Sequence, residues 1–441
     1  MWLSQVVDIY RTDLTTKPKA YMTLGPGLTK YNVLTAPDNH LHRTRRQLVG
    51  QALTDRSLRA FEPTMIKQID IFIRNALSSA QRSQYFNITE EARRLGLDIA
   101  GLLSFGYDLR LQTDEQHRFM PTMLTAGTFW SSVFLQYPNA RKFRFGLIAV
   151  QAFRKLHEPY LSLMQKMISS HMAEEKEAKH DLFSHIAHAF SVDVESDGLR
   201  DSDLWSEANL FLTAAGDTVK TSISAVFFYL SRNADPYQKL ADEIRTTFQN
   251  GSEINGQTIA GCQYLRACVD EALRMSPPAA GILWREQASE TRGQPLIVDG
   301  HVIPEGTVIG VNIYSLHHNE EYFPDSFTYR PERWVEELDP EVKKRMREAF
   351  IPFSIGPRGC AGKSMAYLET CLVIAKSLWY FDFEAAPGSL GRVGEGQPGM
   401  ELGRERKEEF QLYDTFTSMH EGPYLKFQPR GNYWKDLAKN E

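Results

Sequence analysis

The 441-residue chain is predicted to be mainly α-helical with a smaller β-rich part, on three observations. Residues 40 to 275 alternate long helix-compatible stretches with short polar breaks. Residues 290 to 335 are instead rich in glycine, proline and β-branched residues. Nowhere do the roughly eighteen uninterrupted apolar residues of a membrane span occur. Length alone allows two or three domains, yet no internal repeat or low-complexity linker marks a boundary.

At 42% hydrophobic the chain can bury a large core. Its net charge of -5 argues against a nucleic-acid-binding face and leaves small molecules and proteins as partners. Cys262, Cys268, Cys360 and Cys371 form no CxxC pair and have no histidine cluster at zinc spacing, which argues against a structural zinc or iron–sulfur site. Reduced thiols in a cytosol-facing protein fit better. MWLSQVVDIY lacks the charged start and apolar run of a signal peptide. Peripheral contact with a membrane surface is compatible with this composition.

In chain order, DNHLHRTRRQLVG places His42 and Arg46 one helical turn apart, as a solvated cationic face also would. In NLFLTAAGDTVKTSISAVFFYL, Asp217 and Thr218 interrupt a long apolar helical run directly after Ala214-Ala215-Gly216. Two readings stand level there: a polar notch or kink at Gly216, and an acid–alcohol pair placed for chemistry. Glu271 and Arg274 in VDEALRMSPP share a helical face, a pairing usually worth a few tenths of a kcal/mol at a surface. In LIVDGHVIPEGTVIGVNIY, two β-branched runs flank Pro304-Glu305-Gly306, which predicts strands over 297–303 and 307–313 joined there. Lys343, Lys344, Arg345 and Arg347 form a basic run of the kind a solvated helix carries. Leu368, Cys371, Leu372, Ala375 and Leu378 follow helical spacing, so Cys360 sits just ahead of a helix. Residues 386 to 409, rich in glycine and charge, read as a surface loop.

The window FSIGPRGCAG, 353–362, sets one cysteine among three glycines spaced three apart. A lone cysteine in such a turn is ordinarily a buried free thiol. A thiolate, by contrast, is a strong metal ligand when a helix N-terminus offsets its charge, and glycines let a flat ligand approach the backbone. Phe353, Gly356, Arg358, Cys360 and Gly362 match F-x-x-G-x-R-x-C-x-G at every fixed position, a chance event on the order of one in ten thousand for such a chain.

This window resembles the heme-binding loop of the cytochrome P450 family, the heme-thiolate monooxygenases. The resemblance implies a P450 fold in one domain, a large helical part with a smaller β-rich subdomain, binding heme b (iron protoporphyrin IX). It makes Cys360 the axial iron ligand, places Phe353 against the cysteine side of the heme, and pairs Arg358 with a propionate. Thiolate ligation favours O–O cleavage. Ala214, Ala215, Asp217 and Thr218 are similar to the family's oxygen-activation segment, which implies a helix close to the heme and a proton relay through Thr218 and Asp217. FTYRPERW is similar to a second family signature, whose arginine, here Arg333, closes a buried network with Glu271 and Arg274. Losing one member would strand a buried charge at roughly 3–5 kcal/mol. In the fungal branch, residues spaced like His42 and Arg46 point at propionates, and Arg285 resembles a further propionate partner. Thr213, Ala214, Ala215, Ala280, Ile282 and Phe416 stand at positions that line the family's apolar substrate cavity.

No GxGxxG follows a strand, so electrons must come from another protein. The resemblance names it as an NADPH–cytochrome P450 reductase, and the basic run at 343–347 is a candidate docking surface on the thiolate side. The expected reaction inserts one atom of dioxygen into a hydrophobic small molecule, in a setting of fungal secondary metabolism. Similarity begins near Trp2, at a helix that in fungal members follows a membrane anchor, a first helix and opening strands. The expectation is therefore a truncated single domain over 1–441, whose full-length relatives sit on the cytosolic face of the endoplasmic reticulum, with an unpaired strand edge near 297–313. A dioxygen-independent heme-thiolate isomerase or dehydratase, and a non-catalytic heme-binding relic, are the competing readings. The intact Asp217-Thr218 pair speaks against the first.

Overall fold

The computed structural model describes residues 3–24, 30–137, 144–173 and 202–439. Met1, Trp2 and the segment 174–201 of the predicted helical half lie outside them.

Helices form where apolar residues recur at helical spacing and a polar side chain closes the first turn. Asp38 accepts the Leu41 N–H at 2.6 Å ahead of Asn39–Ala52, and Thr54 accepts the Ser57 N–H at 3.2 Å ahead of Asp55–Gln81. Ser202 does the same for Trp205 at 3.1 Å, opening the central helix Asp203–Leu230. That helix is buried along most of its length, so it needs neighbours on nearly every side. Its most extensive partner is Ile88–Phe105. Two glycines meet where they cross. A Cβ on Gly96 would lie 3.0 Å from the Gly216 carbonyl oxygen, and one on Gly216 would lie 2.4 Å from Leu97 Cδ2. Gly216 therefore serves close helix packing, and the helix runs unbroken through it.

The principal core joins these two helices to Asp55–Gln81, Gln263–Met275 and Lys363–Tyr380. From the last of them the chain passes directly into the strand Phe381–Ala385, which pairs antiparallel with Tyr424–Pro429 and sets Phe383 opposite Phe427. A short strand, Phe86–Asn87, pairs with the other edge of Tyr424–Pro429. Elsewhere Thr15–Thr16 pairs with Glu286–Gln287, tying the N-terminal segment to the chain beyond the double proline. A hairpin of Tyr413–Thr415 and Thr417–Met419 turns at Phe416, whose φ is 74°.

The predicted strand–turn–strand at Pro304-Glu305-Gly306 is displaced. The hairpin instead pairs Leu296–Val298 with His301–Ile303 around Asp299-Gly300, both left-handed at φ 49° and 78°. Asp-Gly suits such a two-residue turn and outweighs the Pro-Glu-Gly signal six residues later. A second turn does form, with the Thr307 N–H bonded to the Pro304 carbonyl at 3.2 Å. The run beyond it makes only isolated bridges, Ile309 to Arg285 and Asn312 to Ile282, before the short helix Ile313–His317. Residues 386–409 form the expected excursion, fastened to the body by an Arg232–Glu395 ion pair at 3.0 Å.

Candidate functional site

Cys360 lies two residues before Gly362, the residue at the N-terminus of Lys363–Tyr380. Its N–H bonds to the Phe353 carbonyl at 2.9 Å, closing the loop on itself. Gly356 is required twice: its φ is 74°, and a Cβ there would lie 1.9 Å from the Tyr10 carbonyl oxygen. At Gly362 a Cβ would meet nothing within 4 Å, so the loop faces open space there. Phe353 packs on Tyr367 with ring centroids 5.1 Å apart. Cys360 is open to solvent, whereas Cys262, Cys268 and Cys371 are buried. The surrounding protein pushes its thiol up; the Gly362 N–H and the cations Arg46, Lys17 and Lys363 oppose that rise.

Positive groups from three distant segments join Arg358 of the loop itself beside this thiol. Arg46 donates to the Gly359 carbonyl at 2.7 Å. Arg358 donates to the Ala36 carbonyl at 2.6 Å and to Thr16 and Asn39, both at 2.8 Å. Arg285 donates to the Trp284 carbonyl at 2.9 Å, and Lys17 to the Leu34 carbonyl at 2.7 Å. All of these acceptors are neutral. Among the described residues no carboxylate lies within ion-pair distance of Lys17, Arg46, Arg285 or Arg358; all four are depressed by burial, and Lys17 and Arg358 by neighbouring cations as well. Burial and then the neighbouring arginines hold Lys17 well below the usual lysine range. Burial and Arg285 bring Arg358 down to about 10, and burial with Arg358 and Lys17 brings His42 down to about 3. The structure thus gathers His42, Arg46, Arg285 and Arg358, all singled out in the sequence, and adds Lys17. In Thr-Thr-Lys-Pro-Lys that lysine resembles any solvated one, and only its burial distinguishes it.

Beneath the loop, Glu271 Oε1 accepts from Arg333 Nε and Arg274 Nη2, both at 2.9 Å, and Oε2 accepts from Arg274 Nε at 3.0 Å and Trp334 Nε1 at 2.9 Å. All three charged groups are buried. Burial favours the neutral acid, but Arg274 and Arg333 hold Glu271 below the usual carboxylate range. His317, which the sequence reading passed over, links this network to the cysteine loop. Its Nδ1 lies 3.1 Å from the Arg274 carbonyl, and its Nε2 accepts the Ile351 N–H at 3.0 Å. Those two bonds require a neutral ring with its proton on Nδ1, consistent with a pKa that burial lowers well below the ordinary value.

On the central helix Ala214 is exposed and Thr218 partly so. The Thr218 hydroxyl donates to the Ala214 carbonyl at 2.9 Å, and that of Thr213 to the Asn209 carbonyl at 3.0 Å. Asp217 turns the other way. Buried, it accepts from Lys220 Nζ at 2.9 Å and Arg93 Nε at 3.2 Å. Burial favours the neutral acid, but those two cations hold Asp217 below its usual range. The solvent-facing notch considered for this pair therefore does not occur, and acid and alcohol serve opposite sides of the helix. Ile282 and Phe416 meet across a narrow recess that Leu135 also lines, while Ala280 is buried beside it. Phe416 stands edge-on to Tyr21 at 5.9 Å. Ala214, Ala215 and Thr213 do not line that recess. Lys344, Arg345 and Arg347 project from Pro340–Ala349, with Lys343 half-buried.

These residues fit a flat ligand that carries two carboxylates and a soft metal. The thiol has no second protein donor grouped with it among the described residues, which suits an iron whose remaining ligands would come from a porphyrin and not from the protein. Four unbalanced cations suit the carboxylates. The Cytochrome P450 family model matches residues 15–403. A cytochrome P450 monooxygenase of Gibberella zeae is 32% identical over 404 residues, covering 90% of this chain and 92% of its own length. Cytochrome P450 monooxygenase apf7 of Gibberella fujikuroi is 30% identical, covering 94% of this chain and 81% of its own, and poxM of Penicillium oxalicum is 32% identical over 90% and 74%.

Proposed function

The chain belongs to the cytochrome P450 family, and from that membership we propose that Cys360 would ligate the iron of its heme, with the cations beside it holding the heme carboxylates. The protein is a monooxygenase acting on hydrophobic small molecules. The bound heme supplies the redox centre at which dioxygen is activated. The observation that carries the assignment is the one open thiol set beside four cations that lack an acidic partner among the described residues.

In this reading the Gly362 N–H and the nearby cations stabilise the Cys360 thiolate. Gly362 keeps a side chain off the open face where the ring would lie, and Gly356 lets the loop pack against Tyr10. Arg46, Arg285, Arg358 and Lys17 bind the two carboxylates and so orient the ring, with His42 as a neutral hydrogen-bonding neighbour. Glu271, Arg274 and Arg333, through His317, fix the backbone that leads into the loop. Ala214 and Ala215 would leave room beside the ring. Thr218 holds and passes a proton at Oγ1, while Asp217, locked between Arg93 and Lys220, sets the field behind it. Thr213, Ala280, Ile282 and Phe416 line the substrate side. The finer reading is heme b, an NADPH–cytochrome P450 reductase as electron donor, a role in fungal secondary metabolism, and one domain working at the cytosolic face of the endoplasmic reticulum. No helix among the described residues is long and apolar enough to cross a membrane.

The test is the absorption spectrum of the reduced, carbon-monoxide-bound protein. A thiolate-ligated heme gives a strongly red-shifted Soret band, and Cys360→Ala is expected to abolish it. A variant that kept the band would overturn the ligand assignment.

A further inference from the structure

We propose that Tyr367 is a redox-active tyrosine, which gives an electron through Phe353 to the heme site when peroxide oxidises that site without substrate, and gives its proton to Asp270. The inference rests on the heme assignment above, because the oxidising equivalents arise at Cys360. The Phe353 carbonyl accepts the Cys360 N–H at 2.9 Å, and the Phe353 ring lies against Tyr367 with centroids 5.1 Å apart and planes tilted by 44°. Among the described residues this is the ring-to-ring contact that leads out of the cysteine loop. Tyr367 is buried, and its hydroxyl donates to Asp270 Oδ1 at 2.6 Å, the length of a charge-assisted O–H···O bond. Burial disfavours the Asp270 carboxylate, and Arg266, whose Nε donates to both of its oxygens at 3.1 Å, opposes that. The same guanidinium lies 3.5 Å from the centre of the Tyr367 ring.

Removing an electron from a phenol makes it a strong acid, so the step needs a base already in hydrogen-bond contact. A cation over the ring penalises a radical that keeps its proton. Electron and proton therefore leave together, the electron toward the heme site and the proton to Asp270, and a neutral tyrosyl radical remains. The Asp270 side chain is 14% exposed and Arg266 beside it 50%, which gives that proton a way out to solvent. Hydrogen peroxide, the oxidant, takes up two electrons and two protons and leaves as two waters. Tyr367 supplies one of those electrons and an external one-electron reductant such as ascorbate the other; a second equivalent of ascorbate, with one proton, restores the phenol.

The experiment mixes the heme-loaded full chain, free of substrate, with hydrogen peroxide and freezes it within milliseconds for electron paramagnetic resonance. Wild type is expected to show a tyrosyl signal that narrows when the protein is made with ring-deuterated tyrosine. The chain has 18 tyrosines, so a variant must identify the site. Tyr367→Phe keeps the ring on Phe353 but has no phenolic proton to lose; it should remove most of the signal and speed peroxide bleaching of the heme several-fold. Asp270→Asn still accepts the hydrogen bond but is a far weaker base, and the radical yield should fall several-fold. Both variants should keep the thiolate spectrum. A wild type without the tyrosyl signal, a Tyr367→Phe signal of wild-type size, or an Asp270→Asn yield equal to wild type overturns the inference and leaves the monooxygenase assignment standing. A preparation without the thiolate–heme spectrum overturns the assignment itself.

Discussion

Lys17 carries its charge where charge is costly. It is buried, its hydrogen-bond acceptor is a carbonyl, and three arginines stand around it. Such a site is stable only when an anion balances it, so the lysine makes a specific claim about the ligand. Lys17→Met, similar in length and neutral, should speed heme loss several-fold, measured as transfer to apomyoglobin, while leaving the thiolate spectrum of the retained fraction unchanged. Glu369, nine residues beyond the cysteine, presents the opposite case. Neither of its buried oxygens has a hydrogen-bond partner among the described residues, and burial lifts its carboxyl from 4.5 to about 8. The folded protein keeps that proton over a range in which the unfolded chain has lost it. Stability from this group is therefore complete below about pH 4.5 and declines as pH rises through about 8. Glu369→Gln should flatten that decline, raising the urea midpoint relative to wild type at pH 9 more than at pH 6.

The central helix shows how an element answers two demands at once. Its apolar residues bury nearly its whole surface, while the Ala214–Thr218 stretch stays bare on one side and keeps Asp217 paired on the other. The period of the helix is plain in the sequence, but period alone does not say which face meets which neighbour. Gly216 reads in the sequence as a kink or part of a polar notch, and only Leu97 against it shows a packed crossing. Gly216→Ala should cost about 1–3 kcal/mol, because Leu97 must leave its rotamer in a packed crossing. Leu97→Ala in the same chain should restore part of that loss, a positive coupling readable by a double-mutant cycle in urea unfolding. The displaced hairpin makes a similar point. Two turn signals lie six residues apart, and the sheet forms around Asp299-Gly300 because both of its residues accept the left-handed backbone that a two-residue turn demands.

At the scale of the whole molecule a net charge of -5 coexists with a basic helix, Pro340–Ala349, that ends just before the cysteine loop. If an acidic reductase docks there, reversing Lys343, Lys344, Arg345 and Arg347 to glutamate should lower reductase-supported turnover about tenfold or more at low salt and remove its salt dependence. Reduction by dithionite should be unaffected. By itself the sequence determined the cysteine loop, the helical class and the order of the motifs, because each depends on residues within one or two turns of one another, where covalent spacing sets the geometry. Only the tertiary structure decided which cations stand beside Cys360 and that His317 joins Arg274 to Ile351. Those groups are tens to hundreds of residues apart, and a charged side chain carries no mark of its burial until the packing of the whole chain has chosen its neighbours.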